Sequence, residues 1–565
     1  MKKKIVSLVL AMSLLASAFV GCGNNTTASS GTASTAASNT AAAAKTLTVC
    51  VGPEPQTIDP ALNTAVDGGT LIVHAFEGLT KRDKDGKIVN GQAKDIKVSD
   101  DHLTYTITLR DDIKWSDGKA VTAGDFVYAW QRAVDPKTAS EYASIFDAIK
   151  NGKKIRSVGT PDAVKKPDGT DYKPSDLGIT AKDDKTLVVT LEAPCAYIME
   201  LFQFPTYMPV RKDMIEAKGD QWTQDPKTYI SNGPYMLKDW SHKESMTYVK
   251  NPNYYGKDSI TNDTLKFTLI EDDAAQLAAY QNNEIQFAYQ FPVDEIAAWK
   301  DKPDYHTMNQ LGTYLICFNT TKAPFNDPRA RKALSLAIDR NYLVEKVTKG
   351  GETPADAMVS TGVTDTDTSK QFHDVSGGYY SVKAEDYEKN VAEAKKLLAE
   401  AGYPDGKGFP AFEYMFNTST KHQSVAEALQ NMWKTELGLN ASISAQEWAV
   451  FIDTRHKGSY SVARHGWLAD YNDPASYLTL WMTGDGNNDA KYSNKQYDAL
   501  IKKALSTDDN KVRMPAMHDA EKILMNDMPI APLFFYTHPY LMNTNLKNFY
   551  ESPLGFDYFM YTTVE

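Results

Sequence analysis

Cysteine is scarce in this chain. Four occur in 565 residues, at positions 22, 50, 195 and 317, and none shows CxxC spacing. Neither a disulfide framework nor a cysteine-bound metal is therefore indicated. The ten histidines form no HxH or HExxH pattern, so metal chelation has little support. GxSxG is missing, and no organised nucleophile and base stands out, so an enzyme is not expected. Paired acids such as Asp111-Asp112 and Asp272-Asp273 do occur, but such runs are usually solvated faces. Basic residues are outnumbered 61 to 72, for a net charge of −11. A nucleic-acid binder would normally present a basic face, and that class falls away.

What is present begins at the N-terminus. Lys2, Lys3 and Lys4 precede an uncharged, mostly apolar run from Ile5 to Val20. That run is slightly short for a spanning helix, and no stop-transfer charges follow. Next comes Phe19-Val20-Gly21-Cys22, which resembles the lipobox of bacterial lipoproteins. The resemblance implies removal of the signal peptide 1–21 and lipid on Cys22. The three remaining cysteines then read as small buried hydrophobes. Processing would remove three lysines and no acid, leaving the mature chain near −14. Between Cys22 and Lys45, the segment 22–45 is Ser, Thr, Ala, Gly and Asn with no large apolar residue, a flexible tether in composition.

The rest is too long for one core, so several lobes are expected. Leu47–Val51 is a short apolar run that predicts a buried strand. Leu103–Leu109 alternates apolar residues with threonine, which predicts a half-buried strand, and Thr186–Leu191 predicts another. Asp327-Pro328 supplies a cap and a first-turn proline for a helix over Arg329–Asp339. Ser424 with Glu427 predicts a capping box for a helix that ends at Gly438. Another helix runs from about Asn390 to Gly402. Strands and helices alternate in the second half, as in βαβ units. The class is α/β. Tyrosine (31) and tryptophan (9) suit either an ordinary aromatic core or a cleft lined with rigid rings.

Several blocks carry more information than the periodicity. They include Glu54-Pro55-Gln56-Thr57-Ile58-Asp59-Pro60, Lys114-Trp115-Ser116-Asp117-Gly118 with Asp125-Phe126-Val127-Tyr128-Ala129-Trp130, and Asn232-Gly233-Pro234-Tyr235. Further on come Pro324-Phe325-Asn326-Asp327 and Gly466-Trp467-Leu468-Ala469-Asp470-Tyr471-Asn472-Asp473-Pro474. In this order they resemble the extracytoplasmic solute-binding proteins of the peptide/nickel family, most closely its oligopeptide-binding members. The resemblance runs from about residue 46 to the C-terminus. It implies a three-lobed periplasmic-binding-protein-like fold of type II (cluster C), with two lobes closing on ligand about a two-strand hinge. Lobe I would be 46–76, 212–312 and 537–565, lobe II 77–211 and lobe III 313–536.

The same resemblance implies a site for short peptides. Asp470 would meet the ligand's ammonium group. Arg455, His422 and Arg464 would serve the carboxylate, with Arg455 leading because a guanidinium is always charged. Val66 and the strand Gly466, Trp467 and Leu468 would meet the ligand backbone, as in strand addition. Tyr142, Trp448, Trp467 and Tyr536 would form the walls. A family lysine falls at Thr348, beside Lys349, and a family glutamate that pairs with the arginine falls at Thr64. The protein would be a monomer without cofactor, anchored outside the cell membrane through Cys22. It would hand short peptides to the permease and ATPase subunits of an ABC importer. The same fold could instead take dipeptides, oligosaccharides, nickel or haem, or serve as a peptide-signal receptor.

Overall fold

The computed structural model describes residues 45–565 apart from Asp162 and Thr368. The expected signal peptide, Cys22 and most of the tether lie outside the described residues. Residues 45–565 form one compact unit.

Two long antiparallel strands organise it, Tyr305–Phe318 and Ile530–Met542. At about 3.3 Å per residue each spans some 45 Å, long enough to serve two separate cores. At one end, Leu541 and Met542 pair with Phe287-Ala288, and the sheet continues through Thr46–Cys50, Thr264–Thr268, Ser245–Lys250 and Tyr235–Ser241. At the other end, Gly312–Phe318 pairs with Val462–Leu468, followed by Phe412–Asn417 and Ala441–Gln446. The ladder between the long strands breaks register from Asn309 to Thr313. There the Leu311 amide donates to Pro553 and its carbonyl accepts from Ala469. Gly312 sits in this break because a Cβ would lie 2.4 Å from Leu468 and 2.8 Å from the Trp467 carbonyl oxygen.

A separate four-stranded antiparallel sheet runs Ala93–Val98, Thr104–Leu109, Thr186–Thr190, Ile179–Asp183. Thr104–Leu109 buries Tyr105, Ile107 and Leu109 and half-exposes its threonines, as the alternation predicts. The helix Ala123–Val134 buries Phe126, Ala129, Trp130 and Ala133 at helical spacing.

Elsewhere the expectations hold with shifted ends. Asp327 caps Pro328–Leu336 through the Arg329 amide at 2.8 Å, but that helix stops at Ala337. Asp339 instead caps the next turn by accepting from Tyr342. The helix near 390 spans Tyr387–Glu400. Phe412–Asn417, the helix Thr420–Leu437 and Ala441–Gln446 form a parallel βαβ unit. That helix starts earlier than the Ser424 capping box implies. Its cap comes from a distant residue: Asp273 accepts from the Thr420 amide at 3.0 Å and its hydroxyl at 2.5 Å. Ser424 is interior, while Val425, Leu429, Met432, Trp433 and Leu437 are buried as expected. Cys50 and Cys317 are buried and Cys195 half-buried, all free thiols. Burial pushes the Cys195 and Cys317 thiols up to about 12.

Candidate binding site

A cavity of about 280 Å³ lies beside the break in the long strands. All eleven residues singled out for ligand contact line it: Val66, Tyr142, His422, Trp448, Arg455, Arg464, Gly466, Trp467, Leu468, Asp470 and Tyr536. They come from far-apart segments, so the fold, not local sequence, assembles the site.

The strand Val462–Leu468 supplies the floor. Arg464, Gly466 and Leu468 are half-exposed and alternate with buried His465 and Trp467, and the half-exposed series continues to Asp470 just beyond the strand. Gly466 has a steric reason. A Cβ there would lie 2.1 Å from the Tyr536 hydroxyl and 3.2 Å from Arg464 Nη2. Those two groups meet across the glycine, with Arg464 Nη2 donating to Tyr536 at 2.9 Å.

Among the described residues, Asp470 has no cationic partner within ion-pair distance. Tyr142 donates to its Oδ1 at 3.0 Å, and its amide donates to Ser476 Oγ at 2.7 Å. Burial, opposed mainly by the Tyr142 hydrogen bond, pushes its carboxyl up to about 7. The neighbouring acid of the same block behaves differently. Asp473 is locked to Arg513 Nη2 at 2.8 and 2.9 Å. Tyr471 stacks on Tyr197 with centroids 4.1 Å apart. One acid of the block is thus structural, and the other faces the cavity with its charge unanswered.

The three candidate carboxylate groups differ in the same way. Arg455 is 7% exposed, and its Nε donates to Asp489 at 2.6 Å. Asp489, held well below the usual carboxylate range by Arg455 with help from His465 and His456, neutralises that arginine. Arg455 lines the cavity, but with its guanidinium already paired to Asp489, a pairing that sequence alone does not show. His422 lies on the first turn of Thr420–Leu437, and its Nδ1 meets the Tyr314 hydroxyl at 3.2 Å. Burial, with Arg464 and Lys421 nearby, lowers its pKa well below the ordinary value. It is a neutral ring near pH 7 and can meet a carboxylate only as an N–H donor. Arg464, the charged one of the remaining two, has no acid within ion-pair distance among the described residues. It stands 5.1 Å from the Tyr314 ring centroid, and its Nε is buried without a partner. Thr64, where the family glutamate would stand, also lines the cavity, and its hydroxyl is unpaired.

Other placements need adjustment. Val66 is the first residue of the helix Val66–Ala75, not a strand residue; extended backbone ends at Ala65. Thr348 is buried and donates to Glu352 Oε2 at 2.8 Å, while Lys421 pairs with the other Glu352 oxygen. Lys349 turns to Asp294 at 3.5 Å. Trp448 and Trp467 line the wall with indole nitrogens that have no partner.

The sequence reading missed four acids that also line the cavity: Asp67, Glu271, Asp273 and Asp489. Asp273 corrects the view of Asp272-Asp273 as a solvated run. Asp272 is exposed and caps the helix Asp273–Gln281 through the Ala275 amide, but Asp273 is 2% exposed. Only the switch from turn to helix at that point hints at the difference. Among the described residues, no group of three or more His, Cys, Asp and Glu could hold a metal ion.

The fold and this site define a solute-binding protein. The chain matches the family Bacterial extracellular solute-binding proteins, family 5 Middle, over residues 87–489, and it belongs to that family. Its members bind solutes for transport and are not enzymes. The chain is 34% identical to the oligopeptide-binding protein OppA of Bacillus subtilis (strain 168) over 568 residues, covering 99% of each. It is 33% identical to the dipeptide-binding protein DppE of the same organism over 556 residues, covering 98% of each. Among solved structures, Haemophilus influenzae OppA in complex with the peptide RPPGFSPFR superposes with a TM-score of 0.84 at 32% identity, over 92% of this chain and 99% of that one. A murein tripeptide binding protein MppA in its unliganded open form gives 0.61 at 34% identity, over 93% of this chain and 98% of that one.

Proposed function

We propose that this protein captures short peptides by their charged ends and backbone, and delivers them to the permease and ATPase of an ABC importer. The observation that carries the reading is a pair of opposite charges without an ion-pair partner among the described residues, Arg464 on the strand Val462–Leu468 and Asp470 two residues beyond its end, in one cavity. A zwitterionic ligand answers both. Its ammonium group takes Asp470 and its carboxylate takes Arg464, each charge-assisted contact contributing roughly 1.5–3 kcal/mol. The two positions are six residues apart, which at about 3.3 Å per residue sets an upper limit of about 20 Å on their backbone separation. The backbone of Gly466–Leu468 runs beside the ligand, and Tyr142, Trp448, Trp467 and Tyr536 enclose it.

The broken ladder near Asn309–Thr313 is the hinge in this reading, because a locally unpaired pair of strands bends without opening a core. Lobe I (46–76, 212–312, 537–565) and lobe II (77–211) move as one jaw, and lobe III (313–536) as the other. The lower match to an open form supports a closed arrangement here. The protein acts as a monomer outside the cell membrane, held by lipid on Cys22.

Calorimetric titration tests the ligand class. Tri- to pentapeptides should bind with micromolar or tighter affinity, and cello-oligosaccharides should give no heat. Saturable oligosaccharide binding with no peptide binding would overturn the reading.

A further inference from the structure

The cavity holds more negative charge than a peptide's single amine requires. Of its lining acids, Asp489 is answered by Arg455, and Asp470 is assigned above to the ammonium group. Three remain. Asp67, in the first turn of Val66–Ala75, has a buried Oδ2 with no hydrogen-bond partner. Glu271 has a buried, unpartnered Oε1. Asp273 spends Oδ2 on Ser419 and Thr420, and its Oδ1 is buried and unpartnered. None of the three lies within ion-pair distance of a lysine or arginine among the described residues.

Two of them, Asp67 and Glu271, meet at Trp448. The Trp448 indole faces Asp67, and its backbone amide faces Glu271. The indole nitrogen itself has no hydrogen-bond partner. Burial pushes the Asp67 carboxyl up to about 7 and raises Glu271 and Asp273 as well. Unpaired buried carboxylates are costly, and a cation placed at Trp448 relieves Asp67 and Glu271 together. A tryptophan face beside them adds attraction for the same charge.

We infer that the cavity contains a second, acidic subsite around Trp448, built from Asp67 and Glu271 with Asp273 in the same cavity wall, that takes the cationic side chain of a lysine or arginine in the bound peptide. This rests on the peptide reading above and adds a preference to it. A neutral side chain entering the subsite would leave the carboxylate oxygens unpaired, so discrimination acts against uncharged isosteres.

The test is a lysine scan. Tetra-alanine peptides carrying one lysine at each position in turn, and the same peptides with acetyl-lysine or norleucine, are titrated into the purified protein at moderate salt. At one position, lysine should bind at least tenfold more tightly than either isostere, with ratios near one elsewhere. In Asp67→Asn/Glu271→Gln that ratio should fall to about one. Ratios near one at every position of the wild-type protein would overturn the subsite while leaving the peptide reading intact, and this arm needs no variant to fold. A preference that survives in the double variant would overturn the assignment to these acids. A uniform preference at all positions would mark general attraction to an acidic protein and also overturn it. If no tetrapeptide binds, the peptide reading falls and takes the subsite with it.

Discussion

Consider replacing Asp470 by asparagine, which keeps the shape and removes the charge. In the ligand-free protein the Asp470 carboxyl titrates near 7 because burial outweighs its hydrogen bonds from Tyr142 and near Ser476. An unfolded aspartate titrates near 3.9. The folded value is raised, so between about pH 4 and pH 7 the folded state holds the extra proton, and stability falls as pH rises through that window. Above pH 7 the full cost is present. Three units at 1.36 kcal/mol each set an upper bound of about 4 kcal/mol, and water in the cavity screens part of it. Without ligand, Asp470→Asn should therefore be more stable than wild type at pH 8, by about 1–4 kcal/mol, and the gap should narrow toward pH 4. Saturating peptide should reverse the order, because only wild type gains the ammonium contact. Denaturant unfolding at pH 8 and pH 4, with and without peptide, measures all four values. A ligand-free variant less stable than wild type at pH 8 would refute the reasoning, since it would mean that the carboxylate makes a structural bond.

The remaining predictions concern binding. Under the proposed function an ammonium group competes with a proton for Asp470, so affinity should be flat above pH 8 and fall up to about tenfold per unit below pH 7, as titration across pH would show. Arg464→Gln should weaken peptides with a free carboxylate by at least tenfold and their C-terminal amides by less than threefold, read from paired titrations. Gly466→Ala forces Tyr536 and Arg464 apart, an overpacking cost of about 1–3 kcal/mol, and should lower peptide affinity about tenfold in the same assay.

Much of the local structure was legible because it is set by local chemistry. The alternation in Thr104–Leu109, the Asp327 cap and the buried face of Thr420–Leu437 follow from neighbouring residues. The family blocks mark the fold as much as the site. Asp59 is gripped by Arg132 at 2.6 and 2.8 Å and by the Trp222 indole at 2.8 Å. Asn232 and Glu77 exchange two hydrogen bonds between distant segments. Charge pairing at the site was not legible. Arg455 and Arg464 read alike in sequence, and only the fold brings Asp489 to one and a phenol to the other. Asp273 escaped for the same reason. Its role in capping Thr420–Leu437 joins residues 147 apart, which no local pattern reveals.

The most direct measurement crosses one protein change with one ligand change. A tetrapeptide and its N-acetyl derivative are titrated into wild type and into Asp470→Asn at pH 8. Acetylation should cost wild type about 2 kcal/mol, some thirtyfold, and cost the variant less than threefold. An equal loss in both proteins would mean that the ammonium group is held elsewhere, and the account would fail.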